Sequence, residues 1–123
     1  KTNDVENMRK PLWTPSRECI KKANITRFIK FVNKKYGLQI TNYNELYKWS
    51  IENIPDFWAA MWEFAEIKAS YKYHLVVDDL TKFPGAKWFI DAKLNFAENL
   101  LRHRDNHLAF IFRAENQKSA KMT

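Results

Sequence analysis

Residues able to hold a metal, move a proton or attack a carbonyl carbon are few in this sequence, and their spacing limits what each can do. His103 and His107 stand four apart, the interval at which two imidazoles share one helix face and reach one metal ion. Asp105 and Asn106 lie between them and favour a turn, no third ligand is in register, and the HExxH pattern is absent. They read as exposed histidines at a helix end. Asp78 and Asp79 are adjacent carboxylates, but neighbours in extended chain point to opposite faces and cannot serve one reacting atom as an acid–base pair. They read as turn or cap residues. Cys19 has Lys21 and Lys22 nearby but no histidine placed to take its proton, so it reads as structural.

Phosphate chemistry needs several glycines close together, so that successive backbone N–H groups can point at one anion. Average usage near 7% would place about eight or nine glycines in a chain of this length; the 123 residues contain two, Gly37 and Gly85. A self-contained nucleotide-dependent enzyme is therefore not expected. Lys21, Lys22, Arg27, Lys30, Lys34 and Lys35 cluster within a chain of net charge +7, which raises a reading as a free-standing basic helical module that binds nucleic acid. Against it, Phe28, Phe31 and Val32 fall on the opposite face, where a core needs them more than stacked bases would, and no zinc-finger, RNP or KH pattern occurs.

The elements that position these residues follow from composition and period. Five Trp, five Tyr and nine Phe supply far more buriable surface than a disordered chain offers. A lone cysteine excludes a disulfide scaffold and fits a reduced intracellular compartment, and no apolar run approaches the roughly 20 residues that cross a bilayer. Residues 1–23 read as an irregular lead-in arm, with Pro11 and Pro15 flanking Leu12 and Trp13, which are expected to dock on a surface. A helix follows with Ile25, Phe28, Phe31, Val32 and Tyr36 on one face, Asn24 as N-cap and Gly37 as its stop. Asn42 and Glu45 have capping-box spacing before a helix carrying Tyr43, Leu46, Tyr47 and Ile51 and ending near Glu52. Pro55 opens a third helix, whose aromatics surround most of its circumference and imply burial between two layers.

Beyond Ile67 the period changes to alternation at Tyr71, Tyr73, Leu75 and Val77, followed by a turn at Phe83, Pro84 and Gly85 and a short apolar run at Trp88, Phe89 and Ile90. Asn95 and Glu98 repeat the capping-box spacing before a helix through Leu101 that Asp105 and Asn106 end. Leu108–Arg113 reads as a strand with both faces buried, and Ser119–Thr123 as its returning partner. The fold class expected is α+β, mostly helical, with three to four helices and then a C-terminal β-hairpin. A lone hairpin is marginal in water, so the chain is expected to stop part-way through a sheet.

Two runs resemble a known family. Trp88–His103, WFIDAKLNFAENLLRH, is similar to the segment that introduces the catalytic body of acetoacetyl-CoA synthetases and the related acetyl- and propionyl-CoA synthetases, with Trp88, Phe89, Leu94, Asn95, Ala97 and Asn99 in the same order. Leu46–Phe64 resembles their helical N-terminal region, in which Trp-Ser precedes a Phe-Trp pair, here Trp49, Ser50, Phe57 and Trp58. Leu12, Trp13 and Pro15, together with Leu100 and Leu101 after Asn99, favour the acetoacetyl branch.

The resemblance implies a cytosolic AMP-forming acid–thiol ligase that joins acetoacetate to ATP as an acyl-adenylate and then lets CoA displace AMP, with Mg²⁺ balancing phosphate charge. It also implies that the phosphate loop, hinge aspartate and catalytic lysine lie downstream of these residues. No catalytic, cofactor-binding or metal residue is therefore assigned, and ATP, Mg²⁺ and CoA are expected only of a full-length parent. On this reading 1–23 is the lead-in arm, 24–104 a helical N-terminal cap and 105–123 the truncated start of the AMP-binding domain. The partner expected is the downstream adenylating domain of the same enzyme, packed against Trp58, Trp62, Phe96 and Leu100; no membrane is expected.

Overall fold

A computed structural model describes residues 12–116 and 118–123, and the chain divides into two compact units, one through Phe64 and one from Ala65 onward. Pro11, assigned to the lead-in arm, lies outside the described residues. The first unit holds helices α1 (Arg17–Lys22), α2 (Asn24–Tyr36), α3 (Tyr43–Glu52) and α4 (Ile54–Phe64).

Helix α1 lies where an irregular arm was expected. Ser16 sits in extended geometry and its hydroxyl accepts a hydrogen bond from the Cys19 N–H at 3.2 Å, while Glu18 in the first turn and Lys21 and Lys22 in the last suit the helix dipole. Leu12 and Trp13 do not dock: both side chains are exposed, and among the described residues no hydrogen bond ties positions 12–15 to the helices.

Asn24 is not the N-cap of α2 but its first residue. Ala23 takes the cap position, and its carbonyl accepts the first helical bond from the Arg27 N–H at 3.2 Å. Thr26 Oγ1 donates to the Ile20 carbonyl at 2.6 Å, satisfying an acceptor at the end of α1 and locking the break between the helices. At the other end the expectation holds. Gly37 adopts φ 67°, where a Cβ would be strained, and its N–H closes on the Asn33 carbonyl.

The core forms where α2, α3 and α4 meet, from Phe28, Val32, Ile40, Leu46 and Ala60, with Phe31, Trp49, Phe57, Met61 and Phe64 packed around it. The Phe28 ring meets Phe57 edge-on at 5.9 Å and Phe64 at 5.1 Å, which are favourable quadrupole arrangements. Ile40 reaches this core because Asn33 clamps it. The Asn33 amide donates to the Ile40 carbonyl at 2.8 Å and accepts from its N–H at 2.9 Å, as a neighbouring strand would.

Helix α3 is capped as expected by Asn42, whose side chain accepts from the Glu45 N–H at 3.0 Å. Glu45 reaches one residue further back than in a standard capping box, accepting from the Thr41 N–H and hydroxyl, and these bonds hold its carboxyl below the usual range. The buried face is narrow, because only Leu46 is buried while Tyr43, Tyr47 and Ile51 are exposed. Helix α4 begins at Ile54, with Pro55 second, since the Asn53 carbonyl accepts the opening bond from Phe57. It is not enclosed by two layers within this unit: Ala60 is buried, but Trp58 remains 41% exposed.

The second unit holds β1 (Leu75–Val77), β2 (Trp88–Ile90), α5 (Phe96–Leu100), β3 (Phe110–Arg113) and β4 (Ser119–Met122). Strands β1 and β2 pair antiparallel in the register Leu75↔Ile90 and Val77↔Trp88, and a bridge between Tyr71 and Lys93 extends the pairing beyond them. Asn95 caps α5 through the Glu98 N–H at 3.2 Å. This helix ends at Leu100, short of Asp105, because Arg102 turns back: its guanidinium donates to the Ala65 carbonyl at 3.0 Å and to that of Asn99 at 3.1 Å.

Strands β3 and β4 form the expected antiparallel hairpin, Phe110↔Met122 through Arg113↔Ser119. Its faces are not buried. Phe110, Ile111 and Phe112 are each more than 60% exposed, because among the described residues no layer covers either side of the two strands. The architecture is α+β and mostly helical, as expected.

Candidate functional site

Of the residues weighed for catalysis, Asp78, Asp79 and His107 are engaged in local structure. Asp78 closes the β1–β2 connection: its carboxylate accepts from the Lys87 N–H at 2.8 Å, the Asp79 N–H at 2.7 Å and the Lys82 ammonium at 2.8 Å. The Lys82 bond, followed by that from the Lys87 backbone, lowers its pKa to about 2. Asp79 accepts from the Thr81 hydroxyl and N–H and is lowered for that reason. Two carboxylates held as anions by turn donors have no proton to give a substrate.

His107 pairs with Asp105 at 2.9 Å in an exposed loop, and the bonds from His107 lower the Asp105 carboxyl. Among the described residues no group of three His, Cys, Asp or Glu side chains is placed to hold a metal. Cys19 is exposed. The basic residues are also partly spent: Lys22 pairs with Glu18 and Lys35 with Glu63.

The residues in the two family-like runs act as scaffolding. Trp49 packs against Tyr36 at 5.4 Å and Phe57 at 6.3 Å, and its carbonyl accepts from both the Asn53 N–H and side-chain amide. Ser50 donates to the Tyr47 carbonyl at 2.7 Å. Asn99 makes a second amide clamp, donating to the Lys68 carbonyl and accepting from its N–H, each at 2.8 Å, and donating also to the Asn95 carbonyl at 3.0 Å. These bonds make Asn99 the residue that ties α5 to the strand-like segment before β1.

Residues 43–100 match the family described as acetyl-coenzyme A synthetase N-terminus. The acetoacetyl-CoA synthetase of Danio rerio is 38% identical over 110 residues, 89% of this chain and 16% of that protein. The solved acetoacetyl-CoA synthetase from Streptomyces lividans superposes with a TM-score of 0.76 at 30% identity, covering 94% of this chain and 18% of that one. The chain thus carries an acetyl-coenzyme A synthetase N-terminus match over residues 43–100 and is similar to acetoacetyl-CoA synthetases over 89% of its length.

A malonamoyl-CoA synthetase of Penicillium aethiopicum is 41% identical over 91 residues, 73% of this chain and 12% of that protein. High identity in this N-terminal region thus accompanies synthetases named for different acids. The chain spans about a sixth of the length of the curated acetoacetyl-CoA synthetases it matches, with 16% coverage of the Danio rerio protein. No comparison supports the nucleic-acid-binding module. Among the described residues no helix is long and apolar enough to cross a membrane.

An apolar groove in the first unit has no motif in the sequence. Helices α2, α3 and α4 enclose an apolar groove of about 470 Å³, lined among others by Ile25, Phe28, Tyr43, Tyr47, Met61 and Phe64. Its signal was the i, i+4 spacing of Tyr43 and Tyr47, whose rings stack at 6.4 Å but face outward.

Proposed function

We propose that this chain serves as the N-terminal structural part of an AMP-forming acid–thiol ligase acting on acetoacetate, with ATP, Mg²⁺ and CoA bound by the remainder of such an enzyme. Residues 24–104 act as the helical cap and 105–123 as the start of the AMP-binding domain, with 1–23 as a lead-in arm. The β3–β4 hairpin carries this reading. Strands that bare Phe110, Ile111, Phe112 and Met122 to water are costly alone but become core once a sheet of the adenylating domain lies against them. Phe96 and Leu100, also exposed, and Trp58 and Trp62 of α4 are the further residues assigned to packing against that domain.

None of the chain's own residues is assigned a catalytic, cofactor or metal role. The reaction belongs to the cytosol in this proposal, as a soluble activation of a small acid. The test is a segment exchange: this chain replaces the corresponding segment of a full-length acetoacetyl-CoA synthetase, and AMP release is followed with acetoacetate, ATP, Mg²⁺ and CoA. The chimera turns over, whereas this chain alone and the segment-deleted enzyme do not. AMP formation by this chain alone, or a folded but inactive chimera, overturns the proposal.

A further inference from the structure

We propose that the groove between α2, α3 and α4 is a binding site for an alkyl carboxylate, with the alkyl chain on its aromatic and aliphatic floor and the carboxylate at Arg27. Its volume of about 470 Å³ falls within the range of small-molecule pockets. The floor is made by Phe28, Leu46, Phe57, Met61 and Phe64, and no ionised side chain lines it. The polar lining is confined to Asn24, Ser50 and the two tyrosine hydroxyls: Ser50 Oγ donates to the Tyr47 carbonyl, Asn24 Oδ1 accepts from Arg27 at 3.3 Å, and Tyr43 and Tyr47 are exposed. Such a surface favours an apolar body over a polar one.

Charge selects the head group. The Arg27 guanidinium stands 6.0 Å from the centroid of Phe64 and bonds Asn24, both groove residues, which places it at the groove's edge. Among the described residues it forms no ion pair with a carboxylate, so its remaining donors are open to an anion.

The inference is independent of the ligase assignment, and its test reads binding alone. Sodium decanoate is titrated into the chain while the methyl resonances of Ile25, Leu46 and Met61 are followed by NMR. Saturable shifts confined to these methyls are expected. Arg27→Gln, at an exposed position, weakens decanoate about two- to fivefold, the range of one exposed charge contact, and leaves binding of 1-decanol unchanged. Ile25→Asp, also exposed and in the first turn of α2 where an acid is tolerated, abolishes binding while the circular dichroism spectrum is retained. Absence of saturable shifts, shifts spread over methyls outside the groove, or equal decanoate affinity in Arg27→Gln overturns the proposal.

Discussion

Replacing Asn33 tests whether one side chain holds the α2–α3 connection against the core. Its amide makes two part-buried bonds to the backbone of Ile40, at 2.8 and 2.9 Å, and Ile40 itself is 9% exposed. Each such bond contributes about 1 kcal/mol net, so Asn33→Ala forfeits about 2 kcal/mol. The better helix propensity of Ala returns at most ~0.7 kcal/mol. The net loss is about 1.5 kcal/mol, which for a unit of this size lowers the melting temperature by roughly 6–12 °C.

Asn33→Asp is the sharper control. It keeps the acceptor for the Ile40 N–H but sets a carboxylate against the Ile40 carbonyl, so the variant is destabilised at neutral pH. Protonation restores the missing donor. The carboxylate's folded-state pKa is raised by the facing carbonyl, so the stability gap between this variant and the unmodified chain narrows as pH falls through that raised value and narrows no further below the ordinary aspartate value near ~4. Urea denaturation followed by helical circular dichroism measures both. An Asn33→Ala variant within about 0.5 kcal/mol of the unmodified chain, the usual spread of neutral surface changes, combined with a pH-independent gap for Asn33→Asp, refutes the clamp.

Two further outcomes follow from the second unit. Asp78 has a pKa lowered to about 2, so its stabilising bonds to Lys82 and the Lys87 N–H are present above the ordinary carboxylate value and are lost as pH falls through about 2; an NMR carboxyl titration with a midpoint near 4 contradicts this, and Asp78→Asn removes the pH dependence. The bare β3–β4 hairpin makes the isolated chain self-associate with rising concentration, and Phe110→Lys with Phe112→Lys suppresses it; light scattering that shows no association before substitution removes the argument from exposed strand faces.

Local signals were legible wherever chemistry and backbone geometry act within a few residues. Gly37 stops α2 because glycine adopts φ 67° without a Cβ clash, and Asn42 and Asn95 cap their helices through the residue three places on. The same range of reasoning read Asp78 and Asp79 as turn residues. Ser16 failed to register because two prolines nearby argued for irregular chain, and Asn24 lost the cap to Ala23, whose carbonyl was placed by the break after α1. Arg102 ended α5 early through a carbonyl at Ala65, a partner too distant in sequence for any local rule to supply.

By itself, then, the sequence determined that the chain is α+β and mostly helical, and it located the caps of α3 and α5 and the glycine stop of α2. Tertiary structure decided which apolar faces have a partner. Periodicity marks Tyr43, Leu46, Tyr47 and Ile51 as one face and both sides of Phe110–Arg113 as apolar, but burial depends on what another element covers. Only Leu46 found cover among α2 and α4, leaving the tyrosines at the mouth of a groove and the hairpin's phenylalanines in water.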